Sequence, residues 1–200
     1  MKAMGIIQEH DRVKLVTSIF SRDKNLIDSV IKVLVDKFGK IDFYTELLDF
    51  NQTDYYEREM GKALLRKFVS FEKLIEPDSI SDIKIYTNEL EKNISPSWDT
   101  DKKRDVNIDP GYLCLSKLVL ASTKDFYHRI YLDHGIYAEI TLMFRKETHS
   151  KGSFQPFPWT YPDYASQEYR SIFNQIRKIY KENIPLNPPS KGDCGDVKIG

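Results

Sequence analysis

The densest collection of reactive side chains in this 200-residue chain runs from Asn107 to Glu139. It contains Asn107, Asp109, Lys117, Thr123, Lys124, Asp125, His128, Arg129 and Glu139. An imidazole and several carboxylates beside ammonium and guanidinium groups are what acid–base chemistry on a bound anion needs. The roles divide by residue type. His128, Asp109, Asp125 and Glu139 are the candidate proton donors and acceptors. Asn107, Lys117, Lys124 and Arg129 are the candidate contacts to a phosphate or carboxylate group. The competing explanation is that these charges cover solvated strand edges and that His128 is a satisfied hairpin residue. His128 and Arg129 open a strand, in which successive side chains point to opposite faces. Both reach one site only if the chain is still turning at His128.

Other chemistries find less support. Neither GxxxxGK[ST] nor GxGxxG occurs. Leu118 to Asp125 superficially resembles the guanine-reading NKxD element of small GTPases, but its spacing is wrong and no phosphate cradle accompanies it, so GTP hydrolysis is not expected. His128, His134 and Glu139 could meet a metal across a hairpin, yet His134 falls at the turn tip. Cys114 and Cys194 show no zinc-ligand spacing, and Leu113 and Leu115 suit Cys114 to a buried structural thiol. No metal or cofactor is expected.

The elements that must position these groups follow from periodicity. Arg12 to Phe20 is apolar on both alternating faces and predicts a buried central strand. Ile27, Val30, Ile31, Leu34 and Phe38 predict a helix over 23–38, closed by Gly39. Ile41 to Phe50 and Lys67 to Ile75 predict strands, with a short helical turn between them ending at Gly61. Pro77-Asp78-Ser79 opens a second helix carrying Ile83, Tyr86, Leu90 and Ile94. Val106 to Leu113 starts extended and contains the turn former Asp109-Pro110-Gly111. Ser116 to Ser122 fits a strand or a short helix. His128 to Leu132 and Ile136 to Phe144 predict a hairpin around Asp133-His134-Gly135, with Ile136, Ala138, Ile140 and Leu142 on one face. Phe154 to Tyr164 reads as a proline–aromatic loop, and Ser166 caps a last helix.

This order predicts an α+β single domain with a mixed β-sheet of about five or six strands and three main helices. The early βαβ fits either a parallel unit or half of a ferredoxin-like arrangement. Residues 1–11 form a lead-in, 12–184 the domain, and 185–200 a Pro-, Gly- and charge-rich tail expected to be disordered.

Composition narrows the partners. The chain is 40 % hydrophobic and 30 % charged, as folded globules are. Thirty basic residues balance thirty acidic ones, which argues against binding nucleic acid or anionic lipid, since both require a cationic field. Met1 to His10 has no apolar core long enough for a signal peptide. No run approaches the roughly 18 apolar residues of a membrane span. The chain therefore reads as cytoplasmic, with a small anionic ligand as its expected partner. The alternative is a non-catalytic interaction module that uses Tyr55-Tyr56 and Trp159, Tyr161 and Tyr164, because such rings offer area with a polar handle.

Three segments together resemble one family: Asp54 to Gly61 with Phe68 to Leu74, Asn107 to Leu142, and Pro158 to Tyr164. They are similar to an uncharacterised prokaryotic family designated domain of unknown function 4416, over most of residues 12–182. The resemblance implies a small cytoplasmic protein of a bacterium or archaeon. It implies no reaction, ligand or catalytic residue.

Overall fold

A computed structural model of the chain describes residues 9–50, 60–95, 104–146 and 152–184. The expected aromatic pair Tyr55-Tyr56 and the tail from 185 onward lie outside the described residues. In chain order the elements are β1 (Val13–Ser21), α1 (Lys24–Phe38), β2 (Ile41–Tyr44), β3 (Leu48–Phe50) and β4 (Leu64–Ile75), then a 3-10 turn at Pro77–Ser79 and α2 (Ile80–Ile94). They continue with β5 (Val106–Leu113), β6 (Lys117–Ser122), β7 (Ile130–Asp133), β8 (Ile136–Arg145), β9 (Ser153–Pro156), the single turn α3 (Pro162–Ala165) and α4 (Gln167–Asn183).

The strands form one sheet in the order β2-β4-β1-β5-β6-β8-β7, with β3 also on β4 and β9 also on β8. Every pairing among the described residues is antiparallel. The expectation of a mixed sheet of five or six strands is thus corrected to an antiparallel sheet of nine strands among the described residues. The reason lies in the crossovers. α1 carries the chain from β1 to β2, but β4 inserts between them; α2 carries it from β4 to β5, but β1 inserts between those. Each helix links parallel strands that never touch, so the first half is the split βαββαβ of ferredoxin-like folds. The additional strands are β3, which divides the single strand expected over 41–50, and β9, within the expected loop, at three and four residues, too short to show an alternating pattern.

The sheet is covered on both faces, which places the chain in one domain. Leu15, Ile19, Val69, Phe71 and Ile108 pack against Ile27, Val30 and Leu34 of α1 and Ile80 and Ile83 of α2. On the other face Val16, Phe68, Leu118 and Leu142 pack against Tyr169, Phe173, Ile176 and Tyr180 of α4. β1, sandwiched between these layers, is buried at every position. No helix among the described residues is long and apolar enough to cross a membrane.

Two local departures from regular structure shape the rest of the molecule. The first is Asp109-Pro110-Gly111. It forms no turn but continues β5, with Thr17 opposite Pro110 and Val16 opposite Gly111. On the other side the β5–β6 ladder stops at Gly111–Leu120. The N–H and C=O of Ile108 face away from β1, where they meet Glu91 and Lys84 instead of a strand. Pro110, two residues on, turns the same way and has no N–H to give β6. The sheet therefore splays open between β5 and β6 from Pro110 towards Val106.

The second departure is in β8. Leu118 faces Leu142, but Val119 faces Ile140, so Thr141 is an extra, bulged residue. The bulge reverses the facing of everything beyond it. Ile136 packs with the α1–α2 layer and Leu142 with the α4 layer, so the expected common face of Ile136, Ala138, Ile140 and Leu142 does not exist. The proline–aromatic loop caps the bulge. Trp159 Nε1 donates to the Ile140 carbonyl (3.0 Å) and the Thr160 hydroxyl donates to the Thr141 carbonyl (2.6 Å). Trp159→Phe keeps an aromatic ring for the stack and removes the donor together with half of the indole. Its melting temperature should fall by about 3 °C, one neutral hydrogen bond of about 1 kcal/mol in a domain of this size. An unchanged melting temperature would show that the cap contributes nothing.

Candidate functional site

The splay between β5 and β6 opens a cavity of about 850 Å³. One wall is the unpaired edge of β5 together with α2. Glu91 accepts the Ile108 N–H (2.7 Å) and Lys84 donates to the Ile108 carbonyl (2.9 Å). A helix carboxylate and a helix ammonium thus replace the hydrogen bonds the missing strand would have made. Lys84 also pairs with Asp109 (3.2 Å). Asn107 links the row, accepting from Arg104 (2.6 Å) and donating to Asp109 (2.7 Å), while Arg104 pairs with Glu91 (3.2 Å).

The opposite wall is built from the end of β6, the turn after it and β8. The 126–129 turn closes with the Arg129 N–H on the Phe126 carbonyl (2.9 Å), and β7 begins only at Ile130. His128 and Arg129 therefore both reach the same buried carboxylate. His128 Nε2 lies 3.1 Å and Arg129 Nε 2.8 Å from Glu139 Oε2. Arg129 also donates from Nη1 to Ser122 Oγ (3.0 Å) and the Lys124 carbonyl (2.9 Å), and from Nη2 to the Tyr161 hydroxyl (3.4 Å). His128 is stacked between Phe126 and Trp159, at 6.0 and 5.6 Å between ring centroids, and Trp159 stacks in turn on Phe157 at 4.7 Å. The β7–β8 turn places both His134 and Gly135 at positive φ (49° and 77°), the hairpin geometry whose twist matches that of its strands.

Between the walls lie Phe50, Arg66, Asp163 and Tyr164. Arg66 is buried, ion-paired to Asp163, and its guanidinium lies 3.7 Å from the centroid of Phe50.

The two carboxyls on the β5–α2 wall respond oppositely to this setting. Burial pushes the Glu91 carboxyl above its ordinary value, and Lys84 and Arg104 only partly offset it. Burial acts on Asp109 in the same sense, but Lys84, Arg66 and Arg104 together outweigh it and hold that carboxyl below its ordinary value. Glu91 is thus the more readily protonated of the two and Asp109 the more firmly ionised. A pair of titratable groups separated in this way can give and accept protons at one pH. Burial also pushes the Tyr164 phenol well up, so it is a neutral donor.

Of the residues singled out from sequence, Asn107, Asp109, Thr123, Lys124, Arg129 and Glu139 line the cavity. His128 lies behind its wall, holding Glu139 from the side. Lys117 is at the far end of β6, opposite Met143, about 17 Å along the strand from Ser122. Asp125 is exposed in the turn and outside the lining. The cavity adds Arg66, Lys84, Glu91, Arg104 and Asp163. Two of these left a trace in sequence. Ile80, Lys84, Thr87 and Glu91 follow helical spacing, and all four are buried, so α2 has a second inward stripe carrying two charges. Arg66 and Asp163 are 97 positions apart, and no local pattern could join them.

The fold and cleft define a single-domain α+β protein with a charged, ligand-sized cavity at a splayed sheet. The chain belongs to the family described as Domain of unknown function (DUF4416), whose model matches residues 11–180. A search of curated proteins finds no match, and a search of solved structures finds none.

Proposed function

We propose that the cleft binds a small molecule carrying one carboxylate or phosphate group, as a cytoplasmic metabolite would, with Asn107, Asp109 and Lys124 at its walls. The observation that carries this reading is convergence. Six of the nine residues chosen for their chemistry, from three separate parts of the chain, line one cavity of about 850 Å³, a size that holds metabolites. Among the described residues, cationic side chains (Arg66, Lys84, Arg104, Lys124 and Arg129) line it beside carboxyl groups. Glu91, whose carboxyl is pushed towards its protonated form, would be the acid and make proton transfer the reaction class, should the bound molecule react.

The test is a thermal-shift screen of sugar phosphates and small carboxylic acids, with and without Asn107→Ala. A ligand at one hundred times its Kd adds about 2.7 kcal/mol, or roughly 8 °C here. Asn107→Ala should reduce that shift. If no anionic compound moves the melting temperature, the reading fails.

A second reading, an interaction module, is favoured by a different surface. Phe126, Tyr127, Ile130, Tyr131 and Leu132 are all exposed, Tyr127 at 88 %, around the edge strand β7. Of the loop rings named from sequence, Tyr161 is exposed, but Tyr164 is core and Trp159 caps the β8 bulge. Tyr127→Asp with Ile130→Asp separates the readings: it should leave ligand protection intact and abolish only protein association.

A further inference from the structure

Resting on the cavity reading above, we infer that Arg66 is the residue that receives the ligand's oxyanion, a carboxylate or phosphate met edge-on by its guanidinium. A guanidinium has five N–H donors. Arg129, the most obvious candidate from sequence, has donors on all three nitrogens engaged by Glu139, Ser122, the Lys124 carbonyl and Tyr161. Arg66 differs. It is 2 % exposed yet lines the cavity. Its Nη1 donates to Asp163 and the Tyr169 hydroxyl lies against it, while its buried Nε has no hydrogen-bond partner. A buried donor without a partner loses the free energy of a hydrogen bond, so an arriving oxyanion recovers what folding left unmade.

The surroundings hold the fork ready. The guanidinium lies 3.7 Å from the Phe50 centroid and 4.9 Å from that of Phe20. Stacking of this kind fixes the plane of an arginine and preserves its edge for paired hydrogen bonds. Asp163 is itself held, accepting the Tyr164 N–H at 2.9 Å.

The experiment titrates the full chain with malonate and, separately, inorganic phosphate, following the melting temperature and the Nε–H resonance of Arg66 in 15N-arginine-labelled protein. Arg66→Lys keeps the charge and removes the fork. It should weaken protection by the better probe at least tenfold, whereas Lys124→Ala, a change at the rim, should weaken it less. Because Arg66→Lys could destabilise the Asp163 pair, Arg66→Met with Asp163→Asn is the second variant; once folded, it should have lost the probe response. Whichever probe moves the Nε–H resonance identifies the group as carboxylate or phosphate. Protection of the wild type that survives in both variants overturns the role of Arg66 and leaves the cavity reading standing. No protection by either probe, with an unmoved Nε–H resonance, overturns both.

Discussion

Glu139→Ala is expected to lower the melting temperature by roughly 10 °C. The carboxylate is buried and accepts from both His128 and Arg129, whose own side chain is 4 % exposed. Removing it strands a guanidinium in the interior beside a histidine whose Nδ1 already lacks a partner. Breaking a buried ion pair from one side costs about 3–5 kcal/mol, and each kcal/mol is worth about 2–4 °C in a domain of this length. The effect should be largely removed by pairing Glu139→Leu with Arg129→Leu, because the penalty belongs to the unpaired charge and not to the missing attraction. The measurement is thermal unfolding of the single and double variants. A fall below about 3 °C for Glu139→Ala would mean that Arg129 finds water or another acceptor, and that the β6–β8 wall is softer than its hydrogen bonds indicate.

Gly111→Ala should be nearly as damaging, for a steric reason. Gly111 sits opposite Leu120 on the last rung of the β5–β6 ladder. A methyl group there would lie 2.4 Å from the Val119 carbonyl oxygen and 2.7 Å from Leu120 Cδ2. The leucine can rotate away; the backbone oxygen cannot move without its strand. Overpacking of this kind costs about 1–3 kcal/mol or more, and here the relief available is to part β5 from β6 and lengthen the splay. We expect a loss of about 5–10 °C and faster amide exchange at Tyr112 and Val119, with exchange in α4 unchanged in rank. Wild-type exchange at those two amides would show that the strands do not separate there.

Much of the architecture was written in local pattern. The buried β1, the helices α1, α2 and α4, the β7–β8 hairpin and its glycine all follow from periodicity and turn chemistry within a dozen residues. The chain's capacity to turn at His128, so that it and Arg129 share a target, was stated as a condition from sequence and is met. Other features depended on partners distant in sequence. Asp-Pro-Gly ordinarily makes a turn, but with β1 aligned along it the same three residues continue a strand and end a ladder instead. One inserted residue, Thr141, reverses the facing of half of β8, and nothing in a run of alternating apolar residues marks which member will bulge; the bulge is stabilised by Trp159 and Thr160, nearly twenty positions away.

The sequence by itself determined the class of fold, the positions of its long elements and the segment in which polar chemistry concentrates, because each is set by side-chain period and composition. The tertiary structure alone decided which charges meet. It joined Arg66 to Asp163, brought Lys84 and Glu91 to the edge of β5, and sent Lys117 and Asp125 away from the cavity. The physical reason is that burial makes an ionic group depend on whatever stands within a few ångströms of it, and that neighbourhood is a property of packed strands and not of the order of residues along them.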